Sequence, residues 1–321
     1  MTTKTTQYIS TFEKDVTKGL SSFPKSLSSK YFYDKKGDKL FQDIMAMPTY
    51  YLTDSEYEII ASQKEDISVA FQAKSGFDLI ELGAGDGKKT KVLLKYLSEK
   101  GIDYSYLPID ISQNVLDGLK ESVQQEIPNI DIKPQQGTYF EVLDDLASYK
   151  ARKKVILFLG SNIGNLLHPQ AIDFLAHIQE GMNTDDLLFM GFDQKKNPQT
   201  ILDAYNDKEG ITAAFNKNVL HRINNELNAN FDVDQFLHWE VYDPETGTAK
   251  SYLVSKKEQL VKIDKLQLEV PFNAWETIHT EISQKYDDNI VSWLASESGL
   301  QIVNQFTDSK GYYKNYIFKK K

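Results

Sequence analysis

From about residue 60 the chain alternates between short apolar runs and stretches whose apolar positions recur every three or four residues. Phe77–Leu82 and the runs at 104–109, 155–160 and 186–192 read as buried strands. Segments 88–97, 112–124 and 169–181 read as amphipathic helices between them, and a short strand is expected at 131–133. Strand and helix in strict alternation predict an α/β fold with a doubly wound, mostly parallel sheet. After residue 195 the rhythm changes. Helical patterns at 199–205 and Ile211–Leu227 lead into period-two patterns at 238–242 and 251–255, joined by the turn Asp243-Pro-Glu-Thr-Gly-Thr248. Segment 261–270 also alternates and reads as a strand. Runs at 301–306 and 312–318 flank Thr307-Asp-Ser-Lys-Gly311 as a terminal β-hairpin. Neither an internal repeat nor a low-complexity linker interrupts this plan, and Lys319-Lys-Lys321 reads as a solvated tail.

The pattern puts chemistry at two strand ends. The first strand runs into Glu81-Leu-Gly83-Ala-Gly85-Asp-Gly87, and the second ends on Asp110. Glycines let a backbone turn sharply and approach a ligand that a Cβ would push away, while the following helix points its first amides into the same crevice. A carboxylate 20 to 30 residues further on, closing the second strand, can accept both hydroxyls of a ribose. A tight strand-to-helix turn without a ligand has the same glycines, and Asp110 tips the balance towards a nucleoside. The G-x-G-x-G spacing departs from the phosphate-binding G-x-G-x-x-G, and no Walker lysine signature is present, so a ligand without phosphates is favoured.

Composition narrows the classes. A chain of 321 residues, 40% hydrophobic and 12% aromatic, is long for one domain and comfortable for two. A net charge of −9 makes nucleic acid and anionic membrane surfaces poor partners, so a small-molecule substrate is expected. Without cysteine, disulfides, thiolate catalysis and thiolate-bound metal are excluded. The five histidines lack ligand spacing, so no metal is expected, and they read as surface or core residues. The polar start Met1-Thr-Thr-Lys-Thr-Thr has no apolar signal core, and no run approaches the length of a membrane span. A cytoplasmic protein, acting as a monomer, is the expectation. The acidic pairs Asp144-Asp145 and Asp287-Asp288 read as solvated faces.

The glycine turn resembles motif I of the S-adenosylmethionine-dependent methyltransferases. Further blocks resemble one branch of them. Ser29-Lys-Tyr-Phe-Tyr33-Asp-Lys-Lys-Gly37, Leu40-Phe-Gln-Asp-Ile44 and Pro48-Thr-Tyr50-Tyr51-Leu-Thr53 are similar to the N-terminal signature of the histidine-specific Nα-methyltransferases of ergothioneine biosynthesis. So are Leu159-Gly160-Ser-Asn-Ile-Gly164-Asn165-Leu166, Ala204-Tyr205-Asn-Asp207, Gly210-Ile-Thr-Ala-Ala-Phe215-Asn216-Lys-Asn218-Val-Leu220 and Thr280-Glu281-Ile-Ser283-Gln-Lys-Tyr286.

The resemblance implies a class I, Rossmann-like methyltransferase whose last strand enters the sheet antiparallel. Its cofactor would be S-adenosyl-L-methionine, held by Glu81, Gly83, Gly85, Lys89, Asp110, Thr138, Tyr139 and Gly160. The substrate would be L-histidine: Asn165 and Tyr205 at its carboxylate, Tyr33 near the amine as the catalytic group, Glu281 and Ser283 on the imidazole, with Tyr50 and Ser251 also in the substrate site. Residues 1–58 and 196–285 would form the substrate-binding domain, and 59–195 with 286–321 the methyltransferase domain. The product would be trimethylhistidine. Each residue also has a plainer reading: tyrosine as half-buried packing among 18, the glycines and asparagines after residue 159 as a turn and cap, Glu281 and Ser283 as one solvated strand face.

Two positions depart from the family. Gly137-Thr138-Tyr139 stands where an acidic residue precedes an aromatic, and Ser251 where a larger apolar side chain would line the ring pocket. A smaller residue would admit a larger ring, so methylation of another amino acid such as tryptophan is an alternative. A nicotinamide-dependent dehydrogenase and a non-catalytic amino acid or betaine binding protein are the readings from other classes.

Overall fold

The computed structural model describes residues 10–137 and 152–321. Thr138, Tyr139, Asp144 and Asp145 lie outside the described residues. The chain divides into two compact units: Met1–Tyr50 with Lys196–Ser283, and Tyr51–Lys195 with Gln284–Lys321.

The second unit is built on a seven-stranded sheet. Its spatial order is Leu300–Thr307, Tyr313–Lys320, Leu187–Asp193, Lys153–Phe158, Phe77–Leu82, Tyr104–Asp110 and Gln135–Gln136. The chain enters at Phe77–Leu82 in the interior, winds outwards to Gln135–Gln136, and then returns to the other side of its first strand at Lys153–Phe158. That reversal makes a switch point beside the carboxyl end of the first strand, where ligands of such sheets bind. The first five strands of this sheet in chain order pair parallel, and only Tyr313–Lys320 runs antiparallel, to Leu187–Asp193 on one side and Leu300–Thr307 on the other. The expected antiparallel insertion of the last strand is therefore present, as is the class I methyltransferase order of strands.

The local chemistry explains the elements. All six residues of Phe77–Leu82 are buried, as a strand covered on both faces requires. One apolar layer combines Ile59, Ile67 and Phe71 of helix Tyr51–Phe71 with Leu93, Leu94 and Leu97 of helix Lys88–Glu99. The opposite layer combines Phe174, Leu175 and Ile178 of helix His168–Glu180 with Val291, Leu294 and Ala295 of helix Asp288–Glu297. Asp287 is the N-cap of the latter, its side chain accepting from the Ile290 amide at 2.9 Å, and Asp288 pairs with Lys314 at 2.6 Å and accepts from the Tyr316 hydroxyl at 2.5 Å. The pair lies on a solvent-facing surface as expected, with side chains 42% and 57% exposed, and has specific partners besides.

The first unit carries a four-stranded sheet in the order Lys25–Ser26, Thr277–Gln284, Thr248–Ser255 and Phe236–Asp243. Phe236–Asp243 and Thr248–Ser255 form the hairpin expected at the 243–248 turn, closed by the amide of Gly247 on the Asp243 carbonyl. Helices Pro198–Tyr205 and Ile211–Leu227 pack on this hairpin. The alternating segment 261–270 is not one strand but a second hairpin, Gln259–Ile263 against Leu268–Phe272, with Gln267 in the left-handed region at φ 50°. The sequence shows why. Val261 and Ile263 point inwards, but the next apolar residue falls at Leu266, so the period-two phase slips by one residue across Asp264-Lys265. The strand expected at 131–133 is reduced to a single bridge, Ile132 to Tyr106, and regular pairing resumes at Gln135–Gln136. Pro134 between them has no amide to donate.

Candidate functional site

In the second unit the glycine turn has the geometry its sequence requires. Gly83, Gly85 and Gly87 lie at φ 71°, 54° and 64°, in the left-handed region open to glycine. At Gly85 nothing lies within 4 Å of the place a Cβ would take, so that backbone is free to be approached; at Gly87 a Cβ would sit 2.4 Å from Leu119. Asp110 is half-buried at the end of its strand. One carboxylate oxygen accepts from the Ser112 amide at 3.0 Å, and the other lies 3.4 Å from the Gly85 amide. A carboxylate has about four lone-pair sites, so capacity remains for a vicinal diol. The open glycine and the partly used carboxylate fit a ribose.

Two glutamates lie beneath this turn. Glu81 is buried, accepting from Thr90 at 2.6 Å and Tyr106 at 2.5 Å, and burial pushes its carboxyl up to about 7. Its oxygens are engaged inside the unit, tying the first strand to helix Lys88–Glu99 and to the second strand. Glu56, which no motif marked, is fully buried and accepts from the Lys89 ammonium and from the Gly160 amide, the latter at 2.8 Å. Gly160 turns at φ 80° after its strand, and Asn165 closes the short 3-10 helix Asn162–Asn165, exposed, with Gly164 packed 3.0 Å by its virtual Cβ from the Gln284 carbonyl.

The other predicted residues belong to the first unit. Tyr33 follows the 3-10 turn Ser29–Phe32 and is 44% exposed, with its ring held edge-on by Phe41 at 5.6 Å and Phe215 at 5.3 Å. Asn218 fixes this loop, donating to the Phe32 carbonyl and to Asp34, both at 2.9 Å. Asp34 in turn caps helix Lys35–Met45. Gly37 is obligatory here, since a Cβ would lie 1.8 Å from the Phe32 carbonyl oxygen. The Phe215-Asn-Lys-Asn218 block is thus the support of Tyr33, a role that its sequence did not disclose.

Tyr50 and Tyr205 pack edge to face at 6.2 Å. The hydroxyl of Tyr205, a nearly buried residue, lies 2.8 Å from that of Ser283. Glu281 and Ser283 are both half-buried on strand Thr277–Gln284. Between them and helix Ile211–Leu227 runs a chain of buried polar contacts: Thr280 donates to Asn216 at 2.8 Å and approaches the Ser251 carbonyl at 3.0 Å. Ser251 is 2% exposed and donates to Glu240, directly opposite on the neighbouring strand, at 2.5 Å. Glu240 escaped sequence reasoning because the apolar residues Leu237, Trp239 and Val241 alternate with it, and it is their face that the structure leaves exposed.

His238, on the same inward face, is buried, and desolvation pushes its ring down to about 4. Among the described residues no cluster of histidine, aspartate and glutamate is arranged to hold a metal ion, and no helix is long and apolar enough to cross a membrane.

Comparison with known proteins agrees over nearly the whole chain. Residues 12–320 match the family described as histidine-specific methyltransferase, SAM-dependent. The histidine N-alpha-methyltransferase of Mycolicibacterium smegmatis is 35% identical over 299 residues, covering 93% of this chain and 91% of that protein. Its namesake from Mycobacterium tuberculosis is 35% identical over 298 residues, with the same coverage of 93% and 91%. Ergothioneine biosynthesis protein 1 of Schizosaccharomyces pombe is 30% identical over 304 residues, 92% of this chain but 39% of that longer protein.

Proposed function

This chain belongs to the histidine-specific, S-adenosylmethionine-dependent methyltransferase family, and from that premise we propose that it methylates the α-amino group of L-histidine, up to trimethylhistidine, as a step towards ergothioneine. The observation that carries the reading is the contact of Tyr205 with Ser283. Both are residues of the implied substrate site, and their hydrogen bond at 2.8 Å brings them together within the first unit, which supports the reading. Asp110 receives the ribose hydroxyls, and the open backbone at Gly85 allows the nucleoside to lie close.

When bound, S-adenosylmethionine supplies a methyl group on an electrophilic sulfonium. The protein then has no nucleophile to provide, and its work is positioning. Asn165 and Tyr205 orient the substrate carboxylate. Glu281 accepts the imidazole N–H, while Ser283 answers the other ring nitrogen. The amine must lose a proton before it reacts, and in this reading Tyr33 lies near it and passes the proton to solvent, which its exposure and its ring contacts with Phe41 and Phe215 support. Aromatic faces suit the quaternary ammonium that accumulates as methylation proceeds. Relatives named histidine N-alpha-methyltransferase at 35% identity favour histidine over another amino acid such as tryptophan. A cytoplasmic enzyme acting as a monomer completes the proposal, the absence of cysteine supporting the compartment.

The test is product analysis by mass spectrometry after incubating the purified protein with S-adenosylmethionine and each of the common amino acids. Histidine should gain one, two and three methyl groups in succession. Efficient methylation of another amino acid with histidine untouched would overturn the substrate. Glu281→Ala should lower kcat/KM for histidine at least about tenfold, since the ring donor is left desolvated without its acceptor.

A further inference from the structure

Glu56 is a fully buried carboxylate on helix Tyr51–Phe71, just beyond the 48–53 block and outside every motif of the site. A buried carboxylate is costly unless donors surround it, and here three do. One oxygen accepts from the Lys89 ammonium and from the Gly160 amide at 2.8 Å, and the other accepts from Asn315 Nδ2 at 2.9 Å. Space for the second oxygen is kept by Gly191, where a Cβ would come within 2.2 Å of it. Glu56 therefore collects the second residue of the helix after the glycine turn, the turn after strand Lys153–Phe158, and the last strand of the sheet. Two of its three partners, Lys89 and Gly160, are residues assigned above to the cofactor. The Lys89 ammonium also lies 3.8 Å from the place a Gly160 Cβ would take, so lysine, glycine and glutamate form one constellation.

We propose that Glu56 is the positioning residue of the cofactor site and its electrostatic counterweight: it fixes Lys89 and Gly160, and it cancels the lysine charge so that a cationic ligand is accepted. The inference rests on the reading of Lys89 and Gly160 as cofactor residues. S-adenosylmethionine carries a sulfonium, an ammonium and a carboxylate, and so one net positive charge. S-adenosylhomocysteine, left after methyl transfer, has lost the sulfonium charge and is neutral overall. A bare Lys89 beside the site would repel the first and not the second, and charges of this kind within a partly buried crevice act over several ångströms. With Glu56 in place the pair is neutral, and the cofactor binds without that penalty.

The experiment measures dissociation constants of both ligands by calorimetry, with no turnover required. In Glu56→Gln the ratio of Kd for S-adenosylmethionine to Kd for S-adenosylhomocysteine should rise at least about fivefold over the wild type. Loss of packing alone would weaken both ligands together, and a ratio within about twofold of wild type overturns the inference. Adding Lys89→Met to Glu56→Gln removes both charges and should restore the ratio; failure to do so also overturns it. If Glu56→Gln does not fold, Lys89→Met by itself carries the test, because it takes a positive charge away: the ratio must fall below wild type, and an unchanged or raised ratio overturns the inference. Lys89→Met also separates the two levels of the argument. Both affinities remaining at wild-type values would remove Lys89 from the cofactor site. Altered affinities with no change of ratio in Glu56→Gln would remove only the role of Glu56.

Discussion

Ser251 and Glu240 face each other across the hairpin Phe236–Asp243/Thr248–Ser255, and the serine hydroxyl donates to the glutamate at 2.5 Å with both residues buried. A charged acceptor holding a neutral donor at this distance is among the stronger hydrogen bonds of a protein interior. Ser251→Ala should therefore cost about 1–3 kcal/mol, because a carboxylate is left buried with one donor fewer. Replacing both residues with apolar ones, Glu240→Leu with Ser251→Ala, should recover part of that loss. Urea unfolding of the single and double variants decides it. A Ser251→Ala protein within about 0.5 kcal/mol of wild type would show that the contact carries little energy.

Asp110 should be the main polar anchor of the nucleoside. Asp110→Ala is expected to weaken S-adenosylmethionine at least tenfold, about 1.4 kcal/mol, through loss of charge-assisted bonds to the ribose. Calorimetry is the measurement, and unchanged affinity would remove Asp110 from the site. The variant also loses the acceptor of the Ser112 amide, so its unfolding midpoint needs to be read in parallel.

Asn165 is exposed at the end of its 3-10 helix, free of any core-packing duty that would confuse its removal. Asn165→Ala should reduce kcat/KM for histidine roughly 10- to 100-fold, about 1.4 to 2.7 kcal/mol, if it holds the substrate carboxylate. Histidine methyl ester provides the complementary test. Equal turnover of ester and acid by the wild type would place the carboxylate anchor elsewhere.

Stability should have an acid limb and an alkaline limb from two buried groups. Burial pushes Glu81 from 4.5 up to about 7, against the opposing bonds from Thr90 and Tyr106. The fold thus favours the protonated acid, a contribution fully present below about pH 4.5 and lost as pH rises through about 7, worth about 3 kcal/mol. Burial pushes His238 the other way, from 6.5 to about 4, so the neutral ring stabilises above about pH 6.5 and that contribution disappears as pH falls towards 4. Glu81→Gln keeps the shape of the acid without its titration. Its Tm should fall less than that of wild type between about pH 5 and about pH 8; equal slopes would show that Glu81 does not titrate in this range.

The sequence by itself determined the elements whose information is local. Period-two and period-3.6 patterns depend on neighbours a few residues apart, so the strand Phe77–Leu82, the helix Ile211–Leu227 and the terminal hairpin were legible before any coordinates. The glycine turn was legible because only glycine adopts the positive φ of Gly83, Gly85 and Gly87 without strain. A hairpin within 261–270 was written there too, as a slip of phase across Asp264-Lys265, and was missed because alternation alone was weighed. What only the tertiary structure decided is how buried charges are matched. Glu56 meets Asn315 across 259 positions of chain, and Asp193 meets both Tyr51 at 2.9 Å and Lys285 at 2.7 Å. A glutamate on a helix looks the same in sequence whether it faces water or an ammonium, because its free energy is set by the dielectric and the donors that distant segments bring to it. Glu240 was opaque for the same reason: Leu237, Trp239 and Val241 put the apolar pattern on the other face of its strand, and its partner Ser251 was fixed by the register of the hairpin.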